Sequence, residues 1–194
     1  MDKMIPMHEN IIKQFFTQKQ IEDRIAELGK QITEDYKPYQ NDGIIVLCLL
    51  RGAFLFTSEL VKTIDLTLSV DFIRASSYGN GAESSGKVEI NCFNDYDYNG
   101  KHIIVTDDIV DSGKTLDEVR KFLYDRGAAN VEICAMLHKH KDKYNLPVKY
   151  YCFDCPNEFI VGYGLDYMQD YRNLPYVGIV KPELYQKVLE AEQG

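Results

Sequence analysis

Residues 103–116 read IIVTDDIVDSGKTL, from Ile103 through Asp107, Asp108 and Asp111 to Leu116. The β-branched run Ile103-Ile104-Val105 suits a strand buried on both faces. Leu116, Val119 and Leu123 then recur at helical spacing as far as Gly127, so the turn between them joins a strand to a helix. Asp111 to Thr115 present backbone N–H groups, together with the hydroxyls of Ser112 and Thr115, at the positive end of that helix. A phosphate dianion binds well there, and Gly113 lets the backbone come close to it.

Gly113-Lys114-Thr115 matches the end of the P-loop pattern, but that pattern requires a glycine where Asp108 stands, which argues against a nucleoside triphosphate site. Asp107, Asp108 and Asp111 would repel a polyphosphate lying along the turn. They suit ribose hydroxyls, a hard metal ion or a proton to be removed. The plain alternative for each is a solvated aspartate that caps a helix.

The same order of strand, tight loop and helix occurs elsewhere. The turn Asn41-Asp42-Gly43 precedes the buried strand IIVLCLL at 44–50, and Arg51-Gly52-Ala53 then leads into a helical stretch expected from Phe54 to Ile64. VEICAML, from Val131, reads as a further buried strand. Upstream, Thr17 and Gln20 form a capping box for a helix whose apolar face is Ile21, Ile25, Leu28 and Ile32, ending before Pro38. Such alternation predicts an α/β fold of βαβ units around a mostly parallel sheet. Leu68 to Ile73 and Lys87 to Phe93 alternate as a hairpin whose polar, glycine-rich tip is longer than hairpins usually need. With no internal repeat and no linker, one core is expected.

Composition narrows the function. The chain has 194 residues, 45% of them hydrophobic, with a net charge of −8; it can bury a core but lacks the basic face of a nucleic-acid binder. Five cysteines, an odd number, suit reduced thiols in the cytoplasm. Cys152 and Cys155 form a CFDC pair with no second pair to complete a zinc site. The opening MDKMIPMHEN lacks an apolar signal core, and the longest apolar run, Ile44 to Leu50, is too short to span a bilayer, so no membrane partner is expected.

The segment VTDDIVDSGKT resembles the phosphoribosyl diphosphate (PRPP) signature of type I phosphoribosyltransferases: a hydrophobic strand, two acids, two apolar residues and a D-[ST]-G-[KR]-T phosphate loop. Leu50-Arg51-Gly52, Ser77-Tyr78, the Lys139 region and FIVGYGLDYMQDYR, from Phe159 to Arg172, resemble the hypoxanthine-guanine branch of that family, in order and along nearly the whole chain. The resemblance implies a single domain over residues 1–194: a doubly wound parallel sheet flanked by helices, a flexible β-hairpin loop, and a small hood built from N-terminal residues and residues 145–175. It also implies Mg²⁺-dependent transfer of the phosphoribosyl group from PRPP to N9 of hypoxanthine or guanine, in a homodimer or homotetramer.

Residue by residue, the resemblance assigns the ribose phosphate to Asp107, Asp108 and the Asp111-Ser112-Gly113-Lys114-Thr115 turn. Asp111 takes the proton from purine N7. Arg51, Gly52 and Arg172 meet the diphosphate, and Asp166, Asp107 and Asp108 lie near the metal. Lys139, Phe159, Ile160 and Asp166 form the purine pocket, and Ser77 with Tyr78 belongs to a lid. An ammonium at Lys139 donates only, which matches the O6 acceptor of a 6-oxopurine and opposes the amino group of adenine. This chain departs from the family at His138-Lys139-His140-Lys141, where one Lys usually precedes a Pro, leaving open which Lys reads O6. The flanking histidines could suggest a metal, but adjacent strand positions are expected to point to opposite faces. A xanthine- or guanine-preferring enzyme remains an alternative. A PRPP-sensing regulator of nucleic acids is a further one, opposed by the acidic charge.

Overall fold

The computed structural model describes residues 8–77, 88–140, 146–155 and 158–185. It divides into two compact units, Asp23–Pro156 and a smaller one made of Met1–Glu22 with Asn157–Gly194.

The larger unit carries, among the described residues, a six-stranded sheet: β2 Ile44–Leu50, β3 Ser69–Ser77, β4 Val88–Cys92, β5 His102–Val110, β6 Asn130–His138 and β7 Tyr150–Asp154. Their spatial order is β4-β3-β2-β5-β6-β7, and every pairing is parallel except the hairpin of β3 with β4. The expected doubly wound α/β architecture is therefore present. β2 matches the sequence expectation residue for residue and is buried on both faces as far as Leu49, as a central parallel strand must be. Helix α3, Lys114–Asp125, turns Leu116, Val119 and Leu123 into a core with Ile73, Ile103, Val105 and Ile133.

Helix α1 spans Gln18–Tyr36. Its capping box forms as expected: the Thr17 amide donates to Gln20 Oε1 at 2.9 Å, and the Gln20 amide donates to Thr17 Oγ1 at 3.3 Å. Ile21, Ile25, Leu28, Ile32 and Tyr36 are fully buried along one stripe. Helix α2 runs only from Phe54 to Val61, three residues short of the expected Ile64. The chain tightens because the Thr63 amide donates to the Leu60 carbonyl at 2.9 Å, and Thr63 packs onto Gly29 of α1, where any Cβ would collide with it.

In the smaller unit β1 Ile11–Phe16, β9 Val177–Val180 and β8 Ile160–Val161 form an antiparallel sheet in the order β1-β9-β8. Its core is Ile11, Val161, Tyr176 and Val180, with Phe159, Tyr167 and Tyr185 packed alongside. No helix among the described residues is long and apolar enough to cross a membrane.

Candidate active site

In the larger unit the site grows from the C-terminal end of β5, beside the central strand β2, which is where open parallel sheets bind ligands. The strand expected from Ile103-Ile104-Val105 runs on through Asp107 and Asp108, because the ladder of β5 with β6 continues through Asp107 opposite Ala135, Ile109 opposite Leu137 and Val110 opposite His138. The turn itself is Asp111-Ser112-Gly113. Gly113 adopts φ 79°, the left-handed conformation that lets the chain enter α3 at Lys114. An open cavity of about 120 Å³ is lined by Asp107, Asp111, Ser112, Gly113, Lys114 and Thr115, among others. The first amides of α3 have no partners within the helix and form its positive end.

Burial and the neighbouring Asp108 carboxylate hold Asp107 well above the usual carboxylate range. The Asp108 amide donates to Asp107 Oδ1 at 2.9 Å, which fixes the pair side by side. Gly52 closes on it from the end of β2: any Cβ at Gly52 would overlap the Asp108 carboxylate. The Leu50–Arg51 peptide just before it is cis. Thus the Arg51-Gly52 turn and the two strand aspartates, 56 positions apart between Gly52 and Asp108, are brought into contact.

Lys139 stands one residue past β6, its amide donating to the Val110 carbonyl at 2.9 Å. Its Nζ lies 3.2 Å from Asp111 Oδ2, so the residue expected to read the base and the residue expected to take its proton meet. The flanking histidines are not on opposite faces. Positions 138 and 140 are two apart and share a face, and their ring centroids lie 4.0 Å from each other.

In the smaller unit Asp166 organises a coiled loop. Tyr163, Met168, Gln169 and Tyr171 all have positive φ there, with Gly162 and Gly164. Asp166 Oδ2 accepts from the Gln169 amide at 2.8 Å, and its Oδ1 lies 2.6 Å from Arg172 Nη2. Arg172 Nη1 also donates to the Gly164 carbonyl at 2.7 Å. Phe159 stacks on Tyr185, with centroids 4.8 Å apart and planes at 15°, and meets the edge of Tyr167. One face of Phe159 is therefore covered, and Ile160 beside it pairs with Ile179 in β9. Ser77 ends β3, whereas Tyr78 lies outside the described residues.

A family model described as the phosphoribosyl transferase domain matches residues 12–168. The chain belongs to the phosphoribosyltransferase family. It is 41% identical over 182 residues to the hypoxanthine-guanine phosphoribosyltransferase of Streptococcus thermophilus, covering 93% of this chain and 99% of that one. It is 42% identical over 173 residues to the hypoxanthine phosphoribosyltransferase of Escherichia coli, covering 89% and 97%. Among solved structures, the hypoxanthine phosphoribosyltransferase of Staphylococcus aureus superposes with a TM-score of 0.86 at 38% identity, covering 94% of this chain and 99% of that one. That of Trypanosoma cruzi superposes at 0.87 and 30% identity, covering 96% and 100%. The resemblance read from the residues and the type I fold are both borne out.

The metal implied for a phosphoribosyltransferase fits this donor set. Two hard carboxylates side by side, the charge on one disfavoured by burial and by the other, are what a divalent cation relieves, and Mg²⁺ commonly takes one or two carboxylates plus substrate phosphates. Among the described residues no cluster of three or more His, Cys, Asp or Glu side chains could hold an ion by itself. Sequence reading missed Tyr185 against Phe159, and it missed His140 and Asp154 beside Lys139. For Tyr185 no local signal exists, since an aromatic near a chain end has many possible neighbours.

Proposed function

We propose that this phosphoribosyltransferase transfers the 5-phosphoribosyl group of PRPP to N9 of hypoxanthine, and also of guanine, releasing pyrophosphate and forming IMP or GMP. The observation that carries the proposal is the 3.2 Å contact of Lys139 Nζ with Asp111 Oδ2 at the mouth of the phosphate turn. A donor-only cation that selects O6 and a carboxylate that accepts the N7 proton are useful together only for a 6-oxopurine.

The remaining roles follow from chemistry. The Ser112 to Thr115 turn receives the 5′-phosphate at the start of α3, and Asp107 and Asp108 face the ribose hydroxyls and the metal. Mg²⁺ held by Asp107 and Asp108 would neutralise the diphosphate as it leaves; for Asp166 the family resemblance implies a role near the metal through water. Arg51, Gly52 and Arg172 orient that diphosphate. Phe159 offers a ring face to the purine and the Ile160 backbone an edge. In the empty site the Lys139 ammonium contacts the Asp111 carboxylate at 3.2 Å; a bound base takes over the ammonium and leaves the carboxylate free to accept the proton. Ser77 and Tyr78 belong to the lid that excludes water. Five free cysteines fit a cytoplasmic enzyme.

A second copy of the chain is the proposed partner. Val70 and Phe72 on the outer face of β3 are each 40% exposed, beside Phe93 at 59%, whereas strands of a parallel sheet normally have both faces covered. Exposed Arg74 and Glu89 flank this patch with opposite charges, as a two-fold interface requires. Phe72→Glu should shift gel-filtration mass to that of one chain; an unchanged elution would remove this face as the interface.

The catalytic test is pyrophosphate release from PRPP and Mg²⁺ with hypoxanthine, guanine, xanthine and adenine in parallel, using Asp111→Asn as control. Turnover with hypoxanthine but not adenine, reduced about 10²- to 10⁴-fold in the variant, is expected. Preference for xanthine would favour the alternative substrate. No turnover with any base, despite PRPP binding, would overturn the proposal.

A further inference from the structure

We infer that His140 and Asp154 form a clamp that orients Lys139, making His140 a positioning residue for the purine base. The inference rests on the reading of Lys139 as the cation that meets the base.

The backbone up to Lys139 is held from both neighbouring strands. The Lys139 amide donates to the Val110 carbonyl of β5 at 2.9 Å, and the Cys155 amide donates to the His138 carbonyl at 2.8 Å. At the next residue the chain departs, since His140 has φ 51°. A residue with a Cβ takes that left-handed conformation only when its surroundings hold it there. The holding contacts are all on one face. His140 Nε2 lies 2.6 Å from Asp154 Oδ1, just past the last pairing of β6 with β7. The His140 ring rests against the buried His138 ring at 4.0 Å, and Tyr151 meets both rings edge-on at 5.3 and 5.5 Å.

Lys139 points the other way. Strand alternation puts positions 138 and 140 on one face and 139 on the opposite one, where its Nζ reaches Asp111. If the contacts of His140 are lost, φ of His140 and ψ of Lys139 can relax together toward extended values. With the Lys139 amide still held by Val110, that motion swings the Lys139 carbonyl, tilts its Cα–Cβ bond and displaces an ammonium carried on four methylenes. The two side chains of the clamp are 51% and 75% exposed, so the fold does not depend on them. What the clamp governs is therefore local: the direction of one lysine.

Steady-state kinetics on the full-length protein tests this with both substrates varied. His140→Ala and Asp154→Ala should raise KM for hypoxanthine about three- to tenfold, the scale of one partly exposed pair plus ring packing. KM for PRPP and Tm should stay near wild type. His140→Gln keeps an N–H that can reach Asp154 and should restore most of the base affinity. On a Lys139→Met background His140→Ala should add nothing, because the clamp acts through Lys139. An equal His140→Ala effect on that background, or a parallel rise in both KM values, would overturn the clamp. So would an unchanged base KM in His140→Ala while Lys139→Met raises it. If Lys139→Met itself leaves the base KM unchanged, the reading of Lys139 fails first and the clamp falls with it.

Discussion

Gly52→Ala separates the geometry of the acid pair from the stability of the fold. The added methyl would occupy the space of the Asp108 carboxylate, so one of the two must move. The backbone leading to Gly52 is held by the pairing of β2 with β3 as far as Leu50, whereas a carboxylate can rotate. Forcing a side chain off its preferred rotamer costs about 0.5–1.5 kcal/mol. For a chain of this size a loss of about 1 kcal/mol lowers Tm by roughly 2–4 °C. The effect on metal should be larger. Losing a group that orients a ligand typically weakens metal affinity about 10- to 100-fold, equivalent to about 1.4–2.7 kcal/mol. The assay is pyrophosphate release against MgCl₂ concentration at fixed PRPP and hypoxanthine, with a thermal melt on the same sample. Half-saturating Mg²⁺ should rise about 10- to 100-fold with Tm little changed, and Gly52→Ala should be nearly silent in an Asp108→Asn background. An unaltered Mg²⁺ requirement in the variant would refute the link between this glycine and the acid pair.

Two further outcomes follow from packing and charge. Burial pushes the Cys152 thiol up to about 12, and burial likewise raises the hydroxyls of Tyr36, Tyr98 and Tyr150, the last two further raised by hydrogen bonds to Asp71 and Asp35. The unfolded chain loses these protons near their ordinary values, so stability is fully present below about pH 9 and declines as pH climbs from there toward 12. Cys152 alone should remove about 1 kcal/mol by pH 10. Urea midpoints followed by circular dichroism should show this fall, which Cys152→Val should lessen; a flat profile to pH 11 would contradict it. In the smaller unit, Arg172→Lys keeps the charge but loses the forked contacts to Asp166 and the Gly164 carbonyl. It should destabilise the loop by about 1.5–3 kcal/mol, seen as faster amide exchange across 162–172; protection equal to wild type would count against that role for Arg172.

Much of this protein was written in local chemistry. A seven-residue apolar run that opens on β-branched residues and is bounded by the turns at Asn41-Asp42-Gly43 and Arg51-Gly52 is too short for a helix, so IIVLCLL was legible to the residue. Thr17 with Gln20 marked the start of α1, because a capping box needs nothing beyond its own turn. Gly113 before a helical period marked the turn into α3 for the same reason. Tertiary structure decided what depends on partners far along the chain. Asp107 and Asp108 stay on β5 because β6 continues the ladder beside them, and α2 stops at Val61 because Thr63 packs on Gly29 of another helix. Lys139 acquires its meaning from Asp111, 28 positions away, and Cys152 to Asp154 of the CFDC segment close strand β7, whose last residue, Asp154, contacts His140. Hydrogen-bonding and steric preferences within a few residues are properties of the sequence itself; which carboxylate meets which cation is settled only when the sheet brings distant strands into register.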